Sequence, residues 1–196
     1  MRNALVLLAV LGVITACKKA KPINPGPPPG SHPAMSYVDL EGDAVSFNNY
    51  KILDLDKNGQ YDIVFSTMLV GDPIYQVDKR QWLVNSSFNT SLPVKNENIP
   101  VMNYGDSIPV KKFSGYEWYN ASGIVLAQQI ISFTQNPYWV GEWKAASHQY
   151  LPIQLKINNN LFNGWIEISF SSADEKVLLH KAAVCLEANM GIIAGR

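Results

Sequence analysis

Turn-forming residues recur at short intervals from residue 36 onward, and this punctuation is what most constrains the fold. Glu41-Gly42-Asp43, Asn58-Gly59, Val70-Gly71-Asp72-Pro73, Tyr104-Gly105-Asp106 and Asn158-Asn159-Asn160 all carry residues suited to a reversal. Between them, residues 52–55, 61–68, 128–133, 151–157, 165–170 and 176–184 are rich in branched and aromatic side chains. Several runs alternate: Ile153, Leu155 and Ile157 against Gln154 and Lys156, and Ile166, Ile168 and Phe170 against Glu167 and Ser169. A period of two places one apolar and one polar face on each strand, which is the pattern of an antiparallel sheet with one wet side. Residues 122–131 are the strongest helical rival, through Ala127, Gln128 and Gln129. Their three isoleucines and a valine favour a strand. The expected fold is all-β, an antiparallel β-sandwich or jelly-roll-like domain over residues 34–196.

The first 33 residues do not fit that pattern. Arg2 precedes an uncharged, mostly apolar run over residues 4–16. Thirteen residues are too few to span a bilayer, which needs roughly 20 in a helix, but they suit the apolar region of a secretory signal. The run ends in Ile14-Thr15-Ala16-Cys17, which resembles the lipobox of bacterial lipoproteins. That resemblance implies cleavage before Cys17, so that residues 1–16 are a signal peptide. It also implies acylation of Cys17 and anchoring of the protein to a membrane through lipid. Lys18 follows the cysteine where inner-membrane lipoproteins often carry aspartate, so the resemblance implies the outer membrane, with the membrane face left open. Residues 17–33 then form a linker rich in proline and glycine, including Pro25-Gly26-Pro27-Pro28-Pro29-Gly30. Such a segment favours an extended, solvated spacer over packing.

Within the domain one motif carries chemistry. Asp54, Asp56, Asn58, Gln60 and Asp62 place oxygen donors around a loop with Gly59 at its sixth position. Hard calcium takes six to eight oxygens, and alternating acidic residues in a tight loop aim several at one point. The loop resembles the DxDxNGxxD calcium loops of dockerins, thrombospondin type 3 repeats and the FG-GAP or VCBS-like repeats. It departs from the EF-hand, because Phe65 stands where a bidentate glutamate closes that loop and the flanks read as strands. Asp39, Glu41 and Asp43 are candidates to complete the shell, and residues 39–62 hold six acids against two lysines. The alternative reading is an Asx-rich turn that binds nothing.

A broader resemblance covers much of the domain. Asp54 to Phe65, Tyr150-Leu151-Pro152-Ile153-Gln154-Leu155, Asn163-Gly164-Trp165-Ile166-Glu167-Ile168, Ala182-Ala183-Val184 and Ile193-Ala194-Gly195 resemble a group of uncharacterised secreted bacterial β-sandwich proteins. Asn163 stands where that group usually has tyrosine and Pro152 where it has glycine. The resemblance implies the fold and no particular activity.

The remaining polar and aromatic residues define the functional alternatives. Sixteen basic residues balance sixteen acidic ones, so no nucleic-acid partner is expected. No G-x-S-x-G elbow or metal-spaced histidine pair occurs, and the chain is read as non-enzymatic. A binding or scaffolding role in the cell envelope follows, with an envelope protein or a glycan as partner. Tyr138, Trp139 and Trp143 would serve a carbohydrate-binding accessory protein if exposed together, and core packing is the competing role for these rings. Glu117 and Glu142 would serve a carboxylate-based glycoside hydrolase if a cleft held both at catalytic separation. His148 and His180 read as surface or partly buried polar residues, and Cys185, in an apolar run, as a buried thiol.

Overall fold

The computed structural model describes residues 32–196. The expected signal peptide, Cys17 and the expected linker as far as residue 31 lie outside the described residues. Every regular element among the described residues is a β-strand. In chain order these are β1 (Met35–Val45), β2 (Lys51–Leu53), β3 (Ile63–Asp72), β4 (Val77–Ser86), β5 (Thr90–Val94), β6 (Ser107–Ile108) and β7 (Glu117–Tyr119), followed by β8 (Ile124–Ser132), β9 (Tyr138–Val140), β10 (Gln149–Ile157), β11 (Asn160–Ser171), β12 (Lys176–Cys185) and β13 (Ile192–Ile193). They form a six-stranded sheet in the order β1-β12-β11-β10-β5-β7, a five-stranded sheet in the order β2-β3-β4-β8-β9, and a small β13–β6 pair. All pairings are antiparallel.

The two large sheets pack face to face as a β-sandwich. Ile63, Phe65, Trp82, Val84 and Leu126 of one sheet share a core with Leu151, Ile153, Ile166, Ile168 and Leu179 of the other. Trp82 is at the centre of the layer, with Trp139 at 5.1 Å and Phe170 at 5.6 Å between ring centroids. Residues 122–131 are extended, and β8 occupies most of them. Strand β4 carries the charged run Asp78-Lys79-Arg80 and so lacks the apolar signature expected of a strand. Its place between β3 and β8 comes from ladder pairing on both sides.

Two features differ from the sequence reading. Glu41-Gly42-Asp43 is not a turn between strands but an irregularity inside β1, where pairing with β12 shifts between Asp39 and Asp43. Glu41 and Gly42 adopt positive φ, and an edge strand absorbs such a bulge at low cost to the ladder. The outer face of the six-stranded sheet is also only half wet. A second core of Met102, Ile108, Tyr150, Trp165, Ala183, Cys185, Ile192 and Ala194 covers one end of it.

That cover is pinned by buried polar bonds. Gln154 Nε2 donates to Asn163 Oδ1 at 2.8 Å and to the Val110 carbonyl at 3.0 Å, and Asn163 Nδ2 donates to the Ile108 carbonyl at 3.0 Å. Trp165 Nε1 donates to the Arg196 carbonyl at 3.2 Å, which ties down the C-terminus. Buried amides need such partners, so residues that read as the polar stripe of a strand become anchors for the overlying segments.

Candidate metal centre and its surroundings

The loop between β2 and β3 is built from its own side chains. Asp54 accepts from the Asn58 amide at 3.1 Å and the Gly59 amide at 2.8 Å through its two oxygens. Asp56 accepts from the Asn58 amide at 3.1 Å and from Asn58 Nδ2 at 2.8 Å. Asn58 Oδ1 accepts from the Gln60 amide at 2.7 Å. Lys57 and Gly59 take positive φ, 61° and 84°, so the chain curls tightly around the carboxylates.

Asp62 closes the loop from below and is 3% exposed. Its Oδ2 accepts from the Leu55 amide at 2.7 Å and its Oδ1 from the Thr90 hydroxyl at 3.1 Å. Burial pushes its carboxyl above the usual range, while the Leu55 amide and the Thr90 hydroxyl pull it back. The nearby charge of Asp56 adds to the upward shift.

Asp54, Asp56 and Asp62 each offer a carboxylate oxygen within 4.8 Å of the others. Ligands to one calcium at 2.3–2.6 Å lie at most about 5 Å apart, so this spacing fits a shared hard cation. A carboxylate offers about four lone-pair sites, so those already accepting N–H bonds retain capacity for an ion. Asn58 is held against Asp56, and the Gln60 amide against Asn58. Both are amides, so neither is a member of the acidic triad by its chemistry. Asp39, Glu41 and Asp43 also stand outside the triad. Asp43 is instead paired with Lys51 at 2.7 Å, and Asp39 accepts from the Glu41 amide at 2.9 Å. Asp39 and Asp43 therefore bond locally, and proximity in sequence did not translate into a shared site.

The aromatic platform does not form as expected. Tyr138 and Trp139 are consecutive in β9, so their rings point to opposite faces of the sheet. Tyr138 is 47% exposed on the outside. Trp139 turns inward against Trp82 and Phe170, the latter at 5.0 Å. Trp143 is 1% exposed and donates from Nε1 to the Ile99 carbonyl at 3.2 Å. Period-two alternation in β9 was a signal in the sequence that would have separated the first two rings.

Glu117 and Glu142 come from different sheets. Glu117 is in β7 at the edge of the six-stranded sheet, whereas Glu142 follows β9 at the edge of the five-stranded one. The Tyr119 hydroxyl and then the Lys112 ammonium hold the Glu117 carboxyl below its usual range. A glycosidase acid needs the opposite shift. Cys185 is 1% exposed, and burial pushes its thiol up.

A polar cluster missed at the sequence level occupies the uncovered end of the six-stranded sheet. The His148 and His180 rings stack at 4.2 Å. His148 Nδ1 lies 2.8 Å from Glu167 Oε1, and His180 Nε2 lies 2.8 Å from Ser169 Oγ. Burial, and then the neighbouring His148, lower the pKa of His180, against an opposing pull from Glu167. Glu167 and Ser169 share one face of β11, and His180 from β12 and His148 from the turn before β10 meet them there. Comparison with protein-family models, with curated proteins and with solved structures gives no match.

Proposed function

We propose that this chain is a lipid-anchored, non-enzymatic β-sandwich of the bacterial outer envelope, with a binding or scaffolding role and one stabilising calcium ion in the β2–β3 loop. The observation that carries the metal reading is the convergence of Asp54, Asp56 and Asp62 within 4.8 Å. The local excess of acids over residues 39–62 supports it. Asp54, Asp56 and Asp62 would hold the ion, with Asn58 and the Gln60 carbonyl as the further donors. The ion would supply charge neutralisation where three carboxylates crowd together. The anchor rests on the lipobox resemblance ending at Cys17, and the role in binding follows from the absence of a catalytic motif in the sequence.

Linkage gives the metal reading a size. A hundredfold excess over Kd adds about 2.7 kcal/mol to folding. For a domain of this length that raises Tm by roughly 5–10 °C. Extracellular calcium modules bind at about 10⁻⁴–10⁻³ M, so the test is thermal unfolding in chelator, in millimolar magnesium and in calcium up to ~50 mM. A rise with calcium alone that Asp56→Ala removes is the expected result. No calcium-dependent rise would reduce the loop to an Asx-bonded turn. Asp56 is the informative position, because Asp62 also holds the Leu55 amide and the Thr90 hydroxyl.

A further inference from the structure

The outer face of the five-stranded sheet carries a groove on β4, β8 and β9. Two depressions, of about 450 Å³ and 540 Å³, lie side by side and share Lys79 and Gln128 in their walls. Each falls within the roughly 300–1,000 Å³ typical of small-ligand sites. The strand register explains the lining. Lys79, Ile130 and Tyr138 form one outward row across the three strands, and Gln81, Gln128 and Val140 form the next.

The lining has a consistent chemistry. At one end Tyr138 is 47% exposed, and Tyr75 from the β3–β4 turn is 75% exposed. Gln128 is shared by both depressions, and at the other end are Gln81, Asn96, Glu97 and Asn98. Gln81 Nε2 donates to Gln128 Oε1 at 2.9 Å. That bond fixes both side chains and leaves the Gln81 carbonyl and the remaining amide hydrogens as acceptor and donors. Lys79 is the single cation in the lining, and Asp72 neutralises it at 2.7 Å. An anionic ligand would find no uncompensated positive charge there. Fixed amides that both donate and accept suit hydroxyl groups, and exposed tyrosine faces suit the apolar C–H faces of sugar rings.

We propose that this groove binds a neutral oligosaccharide, with sugar rings stacked on Tyr75 and Tyr138 and their hydroxyls bonded to Gln81 and Gln128. The site lies on strands other than those flanking the metal loop, and the proposal holds whether or not an ion binds there. It also differs from the platform expected from Tyr138, Trp139 and Trp143, since two of those rings are turned into the sandwich and Tyr75 takes their place.

The test is calorimetric titration of the full chain with uncharged hexasaccharides of glucose (β-1,4, β-1,3 and α-1,4), mannose, xylose and N-acetylglucosamine, and with polygalacturonate as a charged comparison. Saturable binding of at least one neutral chain is expected. Tyr75→Ala and Tyr138→Ala should each weaken it about tenfold or more, and Gln128→Ala should weaken it several-fold. Tyr50→Ala, an exposed tyrosine outside the groove, should leave it unchanged. Tyr75 sits on an exposed turn, so its truncation reports on the groove even if a β9 variant proves unstable. Binding of none of the neutral chains, binding of polygalacturonate alone, or binding indifferent to both tyrosine substitutions would overturn the proposal.

Discussion

Asp62 and His180 show how single residues acquire properties that their identity does not predict. Asp62 is a loop acid by sequence, yet it is buried and ties β3 to Leu55 and to Thr90 at the start of β5. His180 sits in an alternating strand, and its behaviour depends on the His148 ring stacked against it at 4.2 Å. Its pKa is lowered from 6.5 by burial and by that ring. The unfolded chain therefore binds the His180 proton more tightly than the folded one. Stability falls as pH drops through about 6.5 and levels off only below the folded pKa. We expect Tm to decline between pH 7.5 and 5.5. His180→Gln should flatten that decline, as read by circular dichroism across the range. A slope unchanged by the substitution would assign the effect to other groups.

Among the elements, β11 shows the tightest demand on a side chain. A Cβ on Gly164 would lie 2.5 Å from the Ala183 carbonyl and 3.0 Å from Ile153 Cγ1. The obstacle is a backbone atom of the neighbouring strand, which cannot move without distorting the ladder. Overpacking of this kind costs about 1–3 kcal/mol or more. Gly164→Ala should thus lower the urea midpoint by at least the equivalent of ~1 kcal/mol, with an unchanged m-value. The resemblance that placed a glycine before Trp165 in such a strand gains a physical reason here, because close approach of β11 to β10 and β12 leaves no room for a Cβ. Strand β9 makes the complementary point. Its three residues alternate outward, inward and outward, so adjacent aromatic residues in the sequence end up serving a groove and a core.

At the scale of the whole molecule, sixteen basic residues balance sixteen acidic ones, but Arg2, Lys18, Lys19 and Lys21 precede the domain. Residues 32–196 therefore hold twelve basic against sixteen acidic residues, a net charge of −4 that gives no attraction to an anionic partner. In the proposed function, attachment to a membrane rests on Cys17, whose surroundings resemble a lipobox. If Cys17 is acylated, the chain expressed in a bacterium should fractionate with membranes and incorporate labelled fatty acid. Cys17→Ser should abolish the label and release the protein from the membrane. A wild-type chain that takes up no label would remove the anchor from the proposed function.

The all-β class, six of the thirteen strands (β2, β3, β8, β10, β11 and β12) and the acidic loop were legible from the sequence because they rest on local physics. Alternation with period two, turn residues and the clustering of Asp54, Asp56 and Asp62 all act over a few residues. Strand β4 was not legible, since its charged run is stabilised by pairing with β3 and β8 rather than by its own composition. Neither was the covered end of the six-stranded sheet, where Gln154 and Asn163 are buried by segments far away in the chain. The stacked histidines and the Tyr75–Tyr138 groove depend in the same way on register between strands that are not neighbours in sequence. Local patterning thus determined the all-β class and the strands whose own residues alternate. Only the tertiary structure decided which faces meet water, because burial is set by what a distant segment lays across them.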